Sequence, residues 1–539
     1  MLYKKNNTPK LDMELYKNPT SEYRGTPFWA WNCKLEKEEL ERQIEVLKEM
    51  GFGGFHMHSR SGMATKYLSG EFMELVKACR DKAEAEDMLA WLYDEDRWPS
   101  GAAGGYVTKD KSLRQKMLVF SENPVKFYPK DEAVKEGLPY LLAVFDAELD
   151  EKGLLKSYKM IGENEDAKGI KKYAYVEASS SSGWYNGQAY ADTLSKEAIQ
   201  KFIDITYSAY EDAVGESFDK SVPAIFTDEP QFFRKQVLRF AKGNDDAIMP
   251  WTTDFAETYM AEYGEDIIPK IPEIFWDLTD GKLSVARYRF HDHICQRFTD
   301  AFAKQCGTWC KEHGIALTGH MMEEPTLESQ THALGEAMRA YEWFGIPGID
   351  LLCNHLEITT AKQAQSAVHQ FGREGMLSEL YGVTGWDYDF RGYKLHGDWQ
   401  ACLGVTIRVP HLSWYAMGGE AKRDYPASIS YQSPWWDQFS MIENHFARLN
   451  TALTRGKAQV RVAVVHPIES YWLRFGPEEQ TAAVRDEMNE QFMQLADWLL
   501  YNLVDYNYIC EANLPSQADG TKVGQMQYDT IIVPNLLTI

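Results

Sequence analysis

Asp228 and Glu229 stand side by side at the end of SVPAIFTDEPQFF (221–233), with Pro230 directly behind them. Val222, Ala224, Ile225 and Phe226 read as a buried strand, and Pro230 stops it by removing a backbone donor. A single acid at a strand end is ordinary capping. An acidic pair delivered to the carboxyl end of a buried strand is how parallel sheets build active sites. Other strand-like runs end in the same kinds of residue: Trp31 and Asn32; His56, His58 and Arg60; Asp94, Asp96 and Trp98; His320, Glu323 and Glu324; Asn354 and His355; Glu379 and Tyr381; His411, Ser413 and Trp414. Five of the 13 histidines fall at these few positions, and their coincidence carries more than any one of them.

The elements needed to gather these ends are legible. TPFWAW, GGFHMH, LAWLYD, PAIFTD, ALTGHM, GIDLLC, GMLSEL and VPHLSW read as eight strands with helical stretches between them. Leu40, Ile44 and Leu47 make the first helical stripe, ended by Gly51. Later helices are expected over 71–87, 195–215, 285–314 and about 398–406, with a closing helix over 435–454. Eight strand–helix units predict a (β/α)8 barrel; an open doubly wound sheet is the alternative. Two insertions interrupt it, a β-rich one at about 116–192 and an aromatic loop region at about 232–282. The barrel is expected to span 1–455. From KAQVRVAVVHPIES onward the pattern restarts as a flavodoxin-like α/β unit over 456–539. That unit ends just after a strand, so a shortened chain, or an oligomer covering the gap, is expected.

A barrel mouth with several carboxylates and aromatic walls suits glycosidic cleavage. One carboxylic acid protonates the leaving oxygen, and a second carboxylate activates water or attacks the anomeric carbon. Acids on the fourth and seventh strands face each other across the mouth, so Glu229 and Glu379 are the preferred pair, with Glu324 the third candidate. Burial would raise one carboxyl pKa and keep it protonated near neutrality. Trp31, His56, His58, Asp94, Asp96, Trp98, Asp228, His320, His355, Tyr381, Trp386 and His411 are the candidate substrate-binding residues. His56 and His58 with opposing acids also suit a transition metal of the barrel amidohydrolase kind, but apart from His320 and His355 no Lys or further His at the fourth-to-sixth strand ends completes such a site. GGFHMH and GAAGGY lack the spacing of a phosphate-cradling loop.

PFWAWN, GFGGFHMHSR, YDEDRWPSGAAGG, TDEPQFF and LSELYGVTGWDYDF resemble glycoside hydrolase family 106 and its uncharacterised relatives, best known for α-L-rhamnosidases. The likeness covers the barrel, and the region from Val460 onward resembles the glutamine-amidotransferase-like domain that follows such barrels. The resemblance implies an inverting hydrolase acting on terminal rhamnose, with Ca2+ as a possible ligand of sugar hydroxyls. Spacing selects no metal ligand among Asp228, Glu323 and Glu324. Family members usually continue into C-terminal β-sandwich domains, which this sequence does not contain. A retaining β-galactosidase-like enzyme and a non-catalytic carbohydrate-binding relative are the alternatives.

Composition removes other classes. A net charge of −23 over 539 residues argues against nucleic acid or an anionic membrane as partner. No apolar run approaches the roughly 20 residues of a membrane helix, and the N-terminus has no signal-peptide core. Eight scattered cysteines fit a cytoplasmic protein with reduced thiols. Sixteen Trp and 30 Tyr offer flat platforms that suit sugar rings.

Overall fold

The computed structural model describes residues 2–6, 10–419 and 424–538. Eight parallel strands follow one another around a barrel: Phe28–Trp31, Gly54–Ser59, Leu89–Tyr93, Ala224–Thr227, Ala316–Gly319, Ile346–Leu351, Met376–Leu380 and Val405–Pro410. The eighth is broken. Ser413–Trp414 continues it and pairs in parallel with the first strand, while Thr26 N–H bonds Arg408 O at 2.9 Å, and the barrel closes.

Alternation of side chains explains why these runs are apolar at nearly every position. Phe28, Ala30, Trp91, Tyr93, Ala224, Phe226, Ile346, Leu377 and Val409 pack together inside the barrel. Trp29, Trp31, Phe55, Met57, Leu92 and Ile225 face the helix layer. The surrounding helices include Lys37–Glu49, Gly70–Ala85, Lys196–Val214, Val285–Phe298, Ile358–Phe371 and Ser440–Leu453. Ser69, Ser195 and Ser284 start three of them by accepting backbone N–H bonds.

Two expectations shift. The helix expected near 398–406 runs from Phe390 to Cys402, because Asp389 caps Arg391 N–H. Its buried face is carried partly by polar or small residues, His396, Gly397 and Gln400, which hide the stripe. The long helix from Val285 is interrupted by a π-turn at Thr299–Ala303.

The two insertions build one body. Leu155–Ile161, Tyr140–Leu149, Ile170–Ala178, Lys116–Ser121 and Ala247–Trp251 form a five-stranded antiparallel sheet in that order, the last strand coming from the second insertion. Beyond the barrel, Val462–Val465 lies between Tyr506–Ile509 and Thr530–Ile532, all parallel, with helix Glu478–Tyr501 as the first crossover. Among the described residues no helix is long and apolar enough to cross a membrane.

Candidate active site at the barrel mouth

The fourth, fifth, sixth and seventh strands bring acids and one imidazole to a single buried cluster. His320 Nε2 lies 3.0 Å from Glu379 Oε2 and 3.5 Å from Asp228 Oδ1. His320 gets there because it follows Gly319, whose strand runs so close to the fourth that a Cβ would sit 1.9 Å from Thr227 O. Burial opposes the charge on His320, but Glu379 and Asp228 raise its pKa well above the usual value, so it is an imidazolium between two carboxylates. Tyr93 OH donates to Asp228 Oδ2 at 2.5 Å. His411 Nε2 stands 3.8 Å from Glu379 Oε1.

Glu229 occupies the left-handed region with φ 46°, a costly conformation for a residue with a side chain. Burial, and then the neighbouring charge of Asp228, push its carboxyl up to about 8. Burial likewise raises Glu379, which His320 counteracts, and lifts Glu324 to about 7. Glu324 is turned aside, accepting from Met321 N–H and Tyr341 OH at 3.1 Å each.

Asp350 belongs to this cluster and was not among the candidates. It is the register partner of Glu379 on the adjacent strand, so both point the same way. Its pKa is raised well above the ordinary range by burial and by Glu379, and its Oδ1 is buried without a hydrogen-bond partner. The signal was present in GIDLLC: the acid lies inside the sixth strand, whereas Asn354 and His355 lie in the loop beyond it.

Arg60 forms the neighbouring wall. Its guanidinium grips Asp424 through two 2.8 Å bonds, meets His58 Nε2 at 3.0 Å, and lies 4.3 Å over the Trp98 ring. The Arg60 charge pulls Glu379 down. Beyond Arg60 and Asp96 opens a cavity of about 330 Å³.

The other candidates divide. Trp386, about half exposed, stands 6.4 Å from the Trp414 ring. Trp31 faces outward against Trp29 and Phe72, not the mouth, because it falls on the odd side of the first strand's alternation. Tyr381 also turns to the helix layer and donates to Tyr393 O. His56 is inside the barrel but low in it, bonded to Thr26 O at 2.9 Å and stacked on Trp91. His355 is exposed. Asp94 is buried behind the site, where it accepts from Ser100 Oγ and Tyr207 OH, while Ser100 Oγ accepts Asp228 N–H. It therefore positions Asp228 through Ser100.

No family model and no curated protein match the sequence. Solved structures do match. A rhamnosidase from Novosphingobium sp. PP1Y superimposes with TM-score 0.66 at 13% identity over 98% of this chain and 67% of its own. A GH42 β-galactosidase from G. stearothermophilus, solved as a catalytic mutant, gives TM-score 0.54 at 10% identity over 94% and 67%. A β-galactosidase from the haloarchaeon Halorubrum lacusprofundi gives 0.51 at 13% over 95% and 69%. At such identities the likeness is one of fold. The fold is a (β/α)8 barrel joined to a further α/β unit, and these glycoside hydrolases share the barrel.

Proposed function

We propose that this protein is a glycoside hydrolase that removes a terminal, rhamnose-like sugar. The observation that carries the reading is the gathering at one barrel mouth of Glu229, partly buried beside Asp228 with its carboxyl pushed up to about 8, and the Glu379–His320 pair at 3.0 Å. Glu229 gives its proton to the glycosidic oxygen as the bond to the anomeric carbon breaks. Glu379 takes a proton from the attacking water, and His320 balances its charge before that transfer. The product leaves Glu229 ionised and Glu379 protonated, and exchange with solvent restores both. Inversion at the anomeric carbon follows the family likeness. Asp228, held by Tyr93 and Ser100, fixes His320 and orients sugar hydroxyls together with His58 and His411.

Calcium is part of the proposal. The group within reach of a single ion, Asp228, His320 and Glu379, contains an imidazole nitrogen, which calcium does not favour. Asp350, with a buried and unpartnered oxygen, and Asp228 fit it better. When bound, the ion would supply positive charge and a grip on sugar hydroxyls; the proton transfers stay with Glu229 and Glu379.

The test is a panel of aryl glycosides, with and without a calcium chelator, on the parent, Glu229→Gln and Glu379→Gln. We expect turnover of a rhamnoside and a fall of about a thousandfold or more in both variants. Near-parental rates in both would sink the assignment. The anomer first formed, read by NMR, separates inversion from a retaining β-galactosidase-like course. Saturable sugar binding with no turnover by the parent would leave a binding protein.

A further inference from the structure

Positive charge is crowded at one buried point of this acidic chain, where a segment leading into the barrel touches the C-terminal α/β unit. Arg287, in the first turn of the helix Val285–Phe298, is 2% exposed. Its Nε donates to Ile274 O, and its Nη1 donates to Asp277 Oδ1 at 2.6 Å and to Leu473 O of the second unit at 3.2 Å. Its Nη2 is buried with no partner. Arg474 lines the same cavity with a buried Nε that also has none, and among the described residues no carboxylate pairs with its guanidinium. Burial lowers the Arg287 pKa; Asp277 opposes this, and the nearby charges of Arg474 and Arg485 add to it. Two guanidiniums sharing one carboxylate leave an excess of positive charge where water screens it poorly.

A cavity of about 110 Å³ opens at this point, with Asp277, Ser284, Arg287, Leu473 and Arg474 in its walls. Ser284 caps the helix by accepting Arg287 N–H at 3.0 Å, and the first helical turn contains no acid. The positive end of the helix therefore borders the cavity. Gly476 lets the chain lie directly on the guanidinium: a Cβ there would stand 2.5 Å from Asp277 Oδ1 and 2.9 Å from both Arg287 Nη atoms. Held by Ile274, Asp277, Leu473 and Gly476, the donors of Arg287 are fixed before a ligand arrives.

We infer that this cavity binds a tetrahedral oxyanion, phosphate or sulfate, free or as the head of a monoester, and that the bound ion clamps the barrel to the α/β unit. A guanidinium presents its donors in a planar fork that matches such an ion. The ion would supply acceptors to Arg287 Nη2 and Arg474 Nε and cancel the repulsion between the two side chains. The inference is independent of the reaction at the barrel mouth.

The experiment unfolds the parent and Arg474→Gln in denaturant while inorganic phosphate, sulfate or phenyl phosphate is titrated, with chloride at matched ionic strength as the control. The parent should show a saturable rise in midpoint with phosphate or sulfate and none with chloride. A net charge of −23 disfavours diffuse anion binding, so saturation reports a site. In Arg474→Gln the concentration giving half the rise should increase about tenfold or more. Among the described residues the Arg474 side chain has no bond for the variant to lose, and the variant relieves the repulsion on Arg287. Its midpoint without phosphate should therefore match or exceed that of the parent. No saturable rise in the parent, an equal rise in the variant, or a variant less stable without phosphate overturns the inference. Calorimetry with phosphate on the native proteins makes the same comparison without unfolding. Phenyl phosphate that binds as tightly as phosphate assigns the site to esters, and phenyl phosphate that does not bind assigns it to the free ion.

Discussion

Glu229 and Glu379 lie on strands across the barrel from each other, yet what distinguishes them is the company each keeps. Glu379 has an imidazolium at 3.0 Å, whereas Glu229 is partly buried beside Asp228 and is pushed up to about 8. A general acid must be protonated, so kcat/KM should hold up to neutrality and fall as pH rises through about 8. Full activity well above that pH would remove Glu229 as proton donor. The same shift is a statement about stability. A carboxyl whose folded pKa is raised favours folding below its unfolded value of about 4.3, and that contribution is lost as pH rises through the folded value. Glu229→Gln should therefore gain stability relative to the parent between those limits, read as a growing difference in unfolding midpoint. At this scale the sequence was legible for Asp228, Glu229, His320 and Glu379, since each sits at a strand end. It was not legible for Trp31 and Tyr381. A one-residue change of phase turns a side chain from the mouth to the helix layer, and both faces of a barrel strand are apolar, so composition does not reveal the phase. Asp350 was missed although it is the register partner of Glu379: the end of the sixth strand was read too far on, at Asn354 and His355, which lie in the loop beyond Leu351.

Strand–helix alternation and buried runs made the eight barrel strands readable as elements. Their closeness is set by one atom that a sequence shows only as a glycine. At Gly319, φ is 113° and an added Cβ would lie 1.9 Å from Thr227 O, so the fourth and fifth strands approach only because that carbon is missing. Gly319→Ala should destabilise the protein by about 4 kcal/mol or more, from the clash and the forbidden dihedral together. It should also lower turnover in the fraction that folds, because His320 is the next residue. Gly70→Ala is the comparison: nothing lies within 4 Å of a Cβ there, at the start of a helix, and the change should be neutral or mildly stabilising. A denaturant midpoint that moves equally little for both would contradict the close approach. The helix from Phe390 was misplaced in the sequence because its buried side includes His396 and Gln400, and periodicity counts apolar residues only. The joint antiparallel sheet was invisible for a different reason: Ala247–Trp251 pairs with Lys116–Ser121 across more than 120 intervening residues, and local pattern carries no information on partners.

The barrel and the C-terminal α/β unit meet around one buried cation. Arg339, from a short helix after the fifth strand, bonds Glu336 at 2.9 Å, Asp292 at 2.7 Å and Glu469 at 2.9 Å. Glu469 lies just past the Val462–Val465 strand of the second unit, so the guanidinium ties the two bodies together. Burial opposes ionisation of Glu336, but His466, another residue of the second unit, and Arg339 hold it below the ordinary carboxylate range. Removing the guanidinium leaves Glu336 and Glu469 buried without it, and Arg339→Met should cost roughly 3–5 kcal/mol. The sign of its pH dependence is fixed by the same groups. In the parent the depressed Glu336 stabilises above the unfolded pKa and loses this as pH falls. In the variant Glu336 rises instead, and Glu469, which burial already raises in the parent against the pull of Arg339, rises further, so their ionisation penalises folding increasingly above about 4.3. The stability gap between parent and Arg339→Met should therefore be smallest near pH 4.5 and widen toward pH 7.5. A gap that stays constant over that range would mean that Arg339 holds the units together by packing against Trp472 rather than by charge.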